Sequence, residues 1–295
     1  MATISKKSNL QAIATAKARH RMSKSLRELL SHMVLILGSL FFFMPLVFMV
    51  STSFKAMRQI AQFPPQLVPN PWIWLNYPDV FFYAPMHKYL LNTLIIVVPR
   101  ILGAVLTSSL AAYAFARLRA PGKNIIFMTL LATMMLPGVV TMIPTYILFA
   151  KLDWVGTFKP LTIPALAGSA FFIFMLRQFF MTIPMDLEDA ANIDGCSRLQ
   201  TWASILMPLA KPALATVTVF AFMGAWNDYM GPLIYLGNRN QYTLSLGLQV
   251  FTGQHGSEWG LLMAASTMMV APVILLFFFA QKNFVQGITM TGLKG

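Results

Sequence analysis

"LLSHMVLILGSLFFFMPLVFMVSTSF", residues 29–54, contains no Asp, Glu, Lys or Arg. About 20 apolar residues in a helix cross a hydrocarbon core about 30 Å thick. Inside lipid the backbone must satisfy its own hydrogen bonds, so a run of this length has to be helical. The basic stretch ahead of it imitates a secretory signal. The apolar run is too long for such a signal and carries no clear cleavage site, so it reads as a retained span.

Five further apolar runs follow, at roughly 89–116, 125–149, 161–181, 212–236 and 259–281. The composition agrees: 57% of the chain is hydrophobic and 11% charged, where a soluble domain carries about 25% charge. The expected fold is therefore an all-α polytopic membrane protein with six transmembrane helices. It divides into an N-tail (1–28), a membrane domain (29–281) and a C-tail (282–295). Proline falls in or at the end of every span (Pro45, Pro99, Pro137, Pro144, Pro164, Pro232, Pro272). Membrane helices tolerate it because neighbours re-satisfy the freed carbonyls.

Charge sets the orientation. The net charge is +13, yet the basic residues flank spans instead of forming a nucleic-acid surface. With the N-tail inside, the inner segments 1–28, 117–124, 182–211 and 282–295 hold 14 of the 22 Lys and Arg, and the outer loops hold 6. The positive-inside rule then places both termini in the cytoplasm. The outer loop 55–88, rich in Pro, Trp and Tyr, reads as an irregular cap at the membrane surface. The single cysteine, Cys196, excludes an internal disulfide. His20, His32, His87 and His255 lack ligand spacing, so no metal is expected.

Four of the nine acids, Asp186, Glu188, Asp189 and Asp194, fall in the inner stretch "PMDLEDAANIDGCSRLQTWASILMPLAKP", 184–212. Two short helices are expected there. Proline suits a first helical turn, and the acids after Pro184 favour the positive end of the helix dipole. Gly195 fits the left-handed residue that ends a helix. Ser197 with Gln200 forms a capping box for the second helix, which Pro208 is expected to stop. Ala190, Ala191 and Gly195 leave a small-residue surface that permits close approach of another protein.

This stretch resembles the loop signature of the permeases of binding-protein-dependent ABC importers: Glu-Ala-Ala, three residues, Gly, nine residues, Ile, any residue, Leu-Pro. Here the positions are Asp189-Ala190-Ala191, Gly195, Ile205 and Met207-Pro208. Asp189 stands in place of Glu and Met207 in place of Leu. "GAWNDYMGPL" (224–233) and "FVQGITMTGLKG" (284–295) are similar to the carbohydrate branch of that family, and to its smaller maltose-type subunit. The resemblance implies the type I importer permease fold and a bacterial inner-membrane location. It implies that Glu188, Asp189, Ala190, Ala191, Asp194, Gly195, Ile205 and Pro208 form a coupling element. The implied partners are a second permease subunit, two copies of a cytoplasmic ATPase and an extracytoplasmic sugar-binding protein. ATP and Mg would be bound by the ATPase, and no cofactor by this chain.

The residues agree with a division of labour. A phosphate-binding loop needs Gly, four residues, then Gly-Lys-Ser/Thr. At Gly122-Lys123 the partner positions are Arg117 and Asn124, so this chain is expected not to hydrolyse ATP. Three alternatives stand beside the sugar importer. One is a permease for another small solute such as glycerol phosphate. A second is an ion-coupled secondary transporter, for which Asp228 and the border residue Glu258 make a thin set of relay acids. The third, an embedded enzyme, lacks a cluster of reactive groups. Arg100, within span two, is either paired inside the bundle or part of a substrate path, and Asp228 is a candidate partner. Asn227, Asp228 and Tyr229 offer sugar-binding chemistry or helix packing, and Asn92 is a weaker candidate of the same kind. Gly287, Gly292, Lys294 and Gly295 make the C-tail either a flexible end or a segment reaching the ATPase.

Overall fold

The computed structural model describes the backbone of residues 2–253 and 256–292, and the side chains of residues 24, 26–253 and 258–281. His255, Lys294 and Gly295 lie outside the described residues. Helix α1 (Ala2–Ser53) is continuous, so the basic N-tail is the first half of the helix that carries span one. Its apolar part, Leu26–Ser53, is exposed over most of its length, with Phe42 80% exposed, and is buried only at its end, at Thr52 and Ser53. Such a surface is stable only against lipid or another protein. The outer loop contains α2 (Asn76–Tyr83), more ordered than an irregular cap. The Asn76 amide donates to the Ser53 and Lys55 carbonyls at 2.8 and 3.1 Å, tying this helix to the end of α1.

Helix α3 (Met86–Arg117) is the central element. Ala104, Ser108 and Ala112, all buried, recur at helical spacing along one face, and Ile173, Leu176 and Phe180 share a buried cluster with the two alanines. Lipid tails are as apolar as leucine, so small residues that permit close packing hold such helices together. At Gly103–Thr107 the helix widens into a π turn. A Cβ on Gly103 would lie 1.9 Å from the Ala165 carbonyl oxygen. Only glycine permits that approach.

Three expected spans are broken. Span three is α4 (Lys123–Thr133) and α5 (Gly138–Lys151), bent by 98°. Pro137 sits at the break: it donates no hydrogen bond and drives the residue before it out of helical geometry. Span four is α6 (Lys159–Leu166) and α7 (Ala170–Thr182), separated at Gly168, whose φ is +84°. Their combined run, Lys159–Thr182, is still long and apolar enough to cross. The inner stretch 182–211 holds α8 (Asp186–Ile193) and α9 (Arg198–Leu209). Span five, expected over 212–236, is α10 (Lys211–Trp226), a break at 227–229, and α11 (Met230–Tyr235). Helix α12 (Trp259–Gly292) runs through span six and into the C-tail, so the backbone as far as Gly292 is helix. Among the described residues, four helices are long and apolar enough to span, and the count rises to as many as six if the bent pairs α4–α5 and α9–α10 each count as one; the second of these joins α9 of the inner stretch to α10 of span five.

Helix α10 packs on both α3 and α12, and α12 on α1. The Trp226 indole donates to the Met269 carbonyl at 3.1 Å across the α10–α12 contact. Arg177, the second intramembrane arginine, donates to the Phe115 carbonyl at 3.3 Å and lies 4.2 Å from the Phe127 ring centroid. It finds partners on two neighbouring helices without a carboxylate, as a charge held in a bundle must.

Candidate functional site

The hairpin α8–α9 is built by its end signals. Asp186, Glu188 and Asp189 occupy the first turn of α8. At its end the Cys196 N–H donates to the Ala191 carbonyl at 2.9 Å and the Gly195 N–H to Asn192 at 3.1 Å. Gly195 has φ +82°, which completes a Schellman motif with glycine in its left-handed position. Ser197 and Gln200 then form the reciprocal capping box: the Ser197 N–H donates to Gln200 Oε1 at 2.8 Å and the Gln200 N–H to Ser197 Oγ at 3.4 Å.

Pro208 does not stop the second helix, contrary to the sequence expectation. It lies within α9, directly after a π turn over Trp202–Leu206. Proline supplies no N–H and crowds the carbonyl four residues back. The wider turn accommodates both defects. The sharp change of direction comes at Ala210, where α9 and α10 meet at 83°.

The hairpin has two faces. Glu188, Ala191, Thr201 and Leu206 are buried. Asp189, Ala190, Asp194, Gly195 and Pro208 are exposed, and Ile205 is half-buried. The expected coupling set is thus divided: Glu188 and Ala191 face the bundle and are not free to touch another protein. The outer face also carries Ile193, 86% exposed, and Leu199, 59% exposed.

Glu188 is held by Arg117, a residue that the sequence marked only as one of the inner charges and as a position that fails the phosphate-loop pattern. Arg117 Nε lies 2.8 Å from Glu188 Oε1, with both side chains nearly sealed from solvent. The N–H is directed away from hydrogen-bond geometry, so the contact is a charge pair. The same guanidinium donates to the Phe180 carbonyl at 2.6 Å, to the Ile183 carbonyl, and touches the Met185 sulfur. One side chain at the end of α3 therefore grips the end of α7, the linker and α8. Burial pushes the Glu188 carboxyl above the ordinary glutamate range, while Arg117 and Arg198 pull it back. The sequence signal available was an arginine at a span end together with an acid next to the docking motif.

A cleft of about 880 Å³ opens in the membrane part, lined among others by Arg100, Asp228, Thr141, Thr145, Ser169 and Tyr235. Arg100 Nη1 lies 3.2 Å from Asp228 Oδ2 and donates to the Gly224 carbonyl at 3.1 Å. The suspected pair does meet, across α3 and the break after α10. Asp228 Oδ1 accepts the Gly231 N–H at 3.0 Å, which caps the chain as it turns into α11. The neighbouring candidates do not line the cleft. Asn227 donates to the Met223 carbonyl of its own helix, and the Tyr229 hydroxyl meets Gln249 Oε1 at 3.0 Å. Asn92 donates to the Asn240 and Tyr242 carbonyls at 2.9 and 3.0 Å, fastening an outer loop to α3.

Comparison with known proteins gives the following. The sequence profile of the family described as "Binding-protein-dependent transport system inner membrane component" matches residues 103–290. The sn-glycerol-3-phosphate transport system permease protein UgpE of Pectobacterium atrosepticum is 32% identical over 269 residues, 88% of this chain and 95% of that protein. The arabinooligosaccharides transport system permease protein AraQ of Halalkalibacterium halodurans is 30% identical, over 85% of this chain and 91% of that one. A chain from the crystal structure of a bacterial ABC transporter involved in the import of the acidic polysaccharide alginate superposes with a TM-score of 0.79. That match covers 89% of this chain and 98% of that one at 24% identity, a likeness in fold.

Proposed function

The chain belongs to the inner-membrane components of binding-protein-dependent transport systems, and on that premise we propose that it is driven by partner ATPases docked on the outer face of α8–α9. It is a membrane-spanning permease subunit of an ABC importer. Its imported solute is a carbohydrate, by analogy with the arabinooligosaccharide relative. A second permease subunit completes the bundle, and an extracytoplasmic binding protein delivers the solute. ATP and Mg are bound by the ATPase. The hairpin lies on the cytoplasmic side, and both termini with it. Asp189, Ala190, Asp194 and Gly195 form the contact face. Glu188 acts differently from the expectation, by joining that face to the bundle through Arg117.

The observation that carries this reading is the set of large apolar side chains exposed on the acid-rich hairpin, Ile193 and Leu199 the most exposed and Leu187 and Leu209 less so. Outside the spans no lipid covers them, and exposed apolar groups rimmed by polar ones mark protein contacts. Ile193→Asp with Leu199→Asp tests it in the full complex. Neither side chain supports the fold of its own chain, so insertion is expected to persist. Co-purification of the ATPase is expected to fall by about ten-fold or more. Undiminished ATPase recovery would refute the docking face. The glycerol phosphate reading is favoured by the printed names of five relatives, UgpE of Pectobacterium atrosepticum and of four Yersinia strains, and the charge of the cleft distinguishes it from the carbohydrate reading.

A further inference from the structure

We propose that the Arg100–Asp228 pair holds the cleft electrically neutral and thereby selects an uncharged, hydroxyl-rich solute over an anionic one. The inference rests on the importer reading and names the solute class at its cleft. Arg100 and Asp228 are the charged residues of the lining, and they face each other at 3.2 Å. The cation is therefore already matched before any solute arrives. Its Nη1 also serves the Gly224 carbonyl. The carboxylate is fixed from both sides, by Arg100 on Oδ2 and by the Gly231 N–H on Oδ1. Gly231 is part of the device: a Cβ there would lie 2.9 Å from Asp228 Oδ2.

The hydroxyls point the same way. Thr141 and Thr145 donate to the Gly138 and Thr141 carbonyls of their own helix, at 3.1 and 2.7 Å. Each hydroxyl has one proton, so what these two threonines offer the cleft is oxygen lone pairs, while Ser169 and Tyr235, also in the lining, can still donate. Lone pairs accept from the O–H groups of a sugar and repel the oxygens of a phosphate or carboxylate. An anion entering here meets both members of the pair, Arg100 at 35% and Asp228 at 19% side-chain exposure, so it finds no net attraction to offset the hydration it loses. A neutral polyol meets acceptors and a largely apolar wall, which suits the two kinds of surface on a sugar ring.

The test reads the charge of the cleft with probes that need no knowledge of the solute. Met142 lines the cleft; Met142→Cys, with Cys196→Ser, places one thiol there in the full-length chain within its complex. The rate of its modification is measured with anionic sulfonatoethyl methanethiosulfonate and with the uncharged hydroxyethyl analogue. The ratio of anionic to neutral rate is expected to rise about ten-fold with Asp228→Asn, the equivalent of about 1.4 kcal/mol. It is expected to fall with Arg100→Gln and to return with the two combined, which separates a charge effect from a folding defect. A ratio unmoved by either single change, or moved the same way by both, overturns the proposal. So does accumulation of glycerol 3-phosphate by vesicles carrying the wild-type importer. Loss of the ATPase partnership with the ratios intact would instead overturn the importer reading alone.

Discussion

Arg117 joins three segments with one guanidinium, and its pairing with Glu188 is sealed from water. Removing one member of a buried pair leaves the other charge uncompensated, which costs about 3–5 kcal/mol. Arg117→Met is therefore expected to lower the thermal stability of the detergent-solubilised chain clearly, and Arg117→Met with Glu188→Met to recover much of the loss. The protonation of Glu188 sets a pH dependence. Its folded pKa lies above the ordinary value, so the unfolded chain releases this proton first as pH rises. The contribution from Glu188 is thus greatest below the ordinary glutamate range and declines as pH climbs through the raised value. Melting curves across that window should flatten in Glu188→Gln; an unchanged slope would show that other groups set it. The sequence placed an acid here and explained it as helix-start chemistry. That account fits Asp186 and Asp189. It misses that Glu188 is turned inward, because the direction depends on where α3 ends.

At the scale of elements, the close crossing of α3 and α6 depends on Gly103. The Cβ added by Gly103→Val would lie 1.9 Å from a backbone carbonyl oxygen, which a side-chain rotation cannot relieve. Overpacking of this kind costs about 1–3 kcal/mol or more. The expected result is lower yield and melting temperature, with Gly138→Val, a position with open space around it, as the comparison. Equal behaviour of the two variants would show that the helices separate freely there. The hairpin was legible element by element, since Gly195, Ser197 and Gln200 act within a few residues of themselves. Bends were less legible. Pro137, Gly168 and Asn227 each break an apolar run that hydropathy alone reads as continuous, and Pro208 does not break its helix because a π turn absorbs it.

For the whole molecule, the orientation drawn from basic residues has a direct consequence. Asn192 is exposed on the hairpin, and Cys196 is the sole native thiol. In a Cys196→Ser background, Asn192→Cys should react with an impermeant maleimide only after the membrane is opened. Reaction in intact cells would reverse the topology and with it the side on which an ATPase docks.

Lipid is a simple solvent, and the sequence alone was enough to satisfy it. Apolar run length determined that the chain spans a membrane and about how many times, while flanking charge supplies the expected orientation. The local end signals of α8 and α9 were likewise written in neighbouring residues. Pairing across the bundle was decided only by tertiary structure. Arg100 with Asp228, and Arg117 with Glu188, are separated by 128 and 71 positions. Whether such charges meet depends on helix rotation and crossing, which small-residue packing sets and hydropathy does not encode.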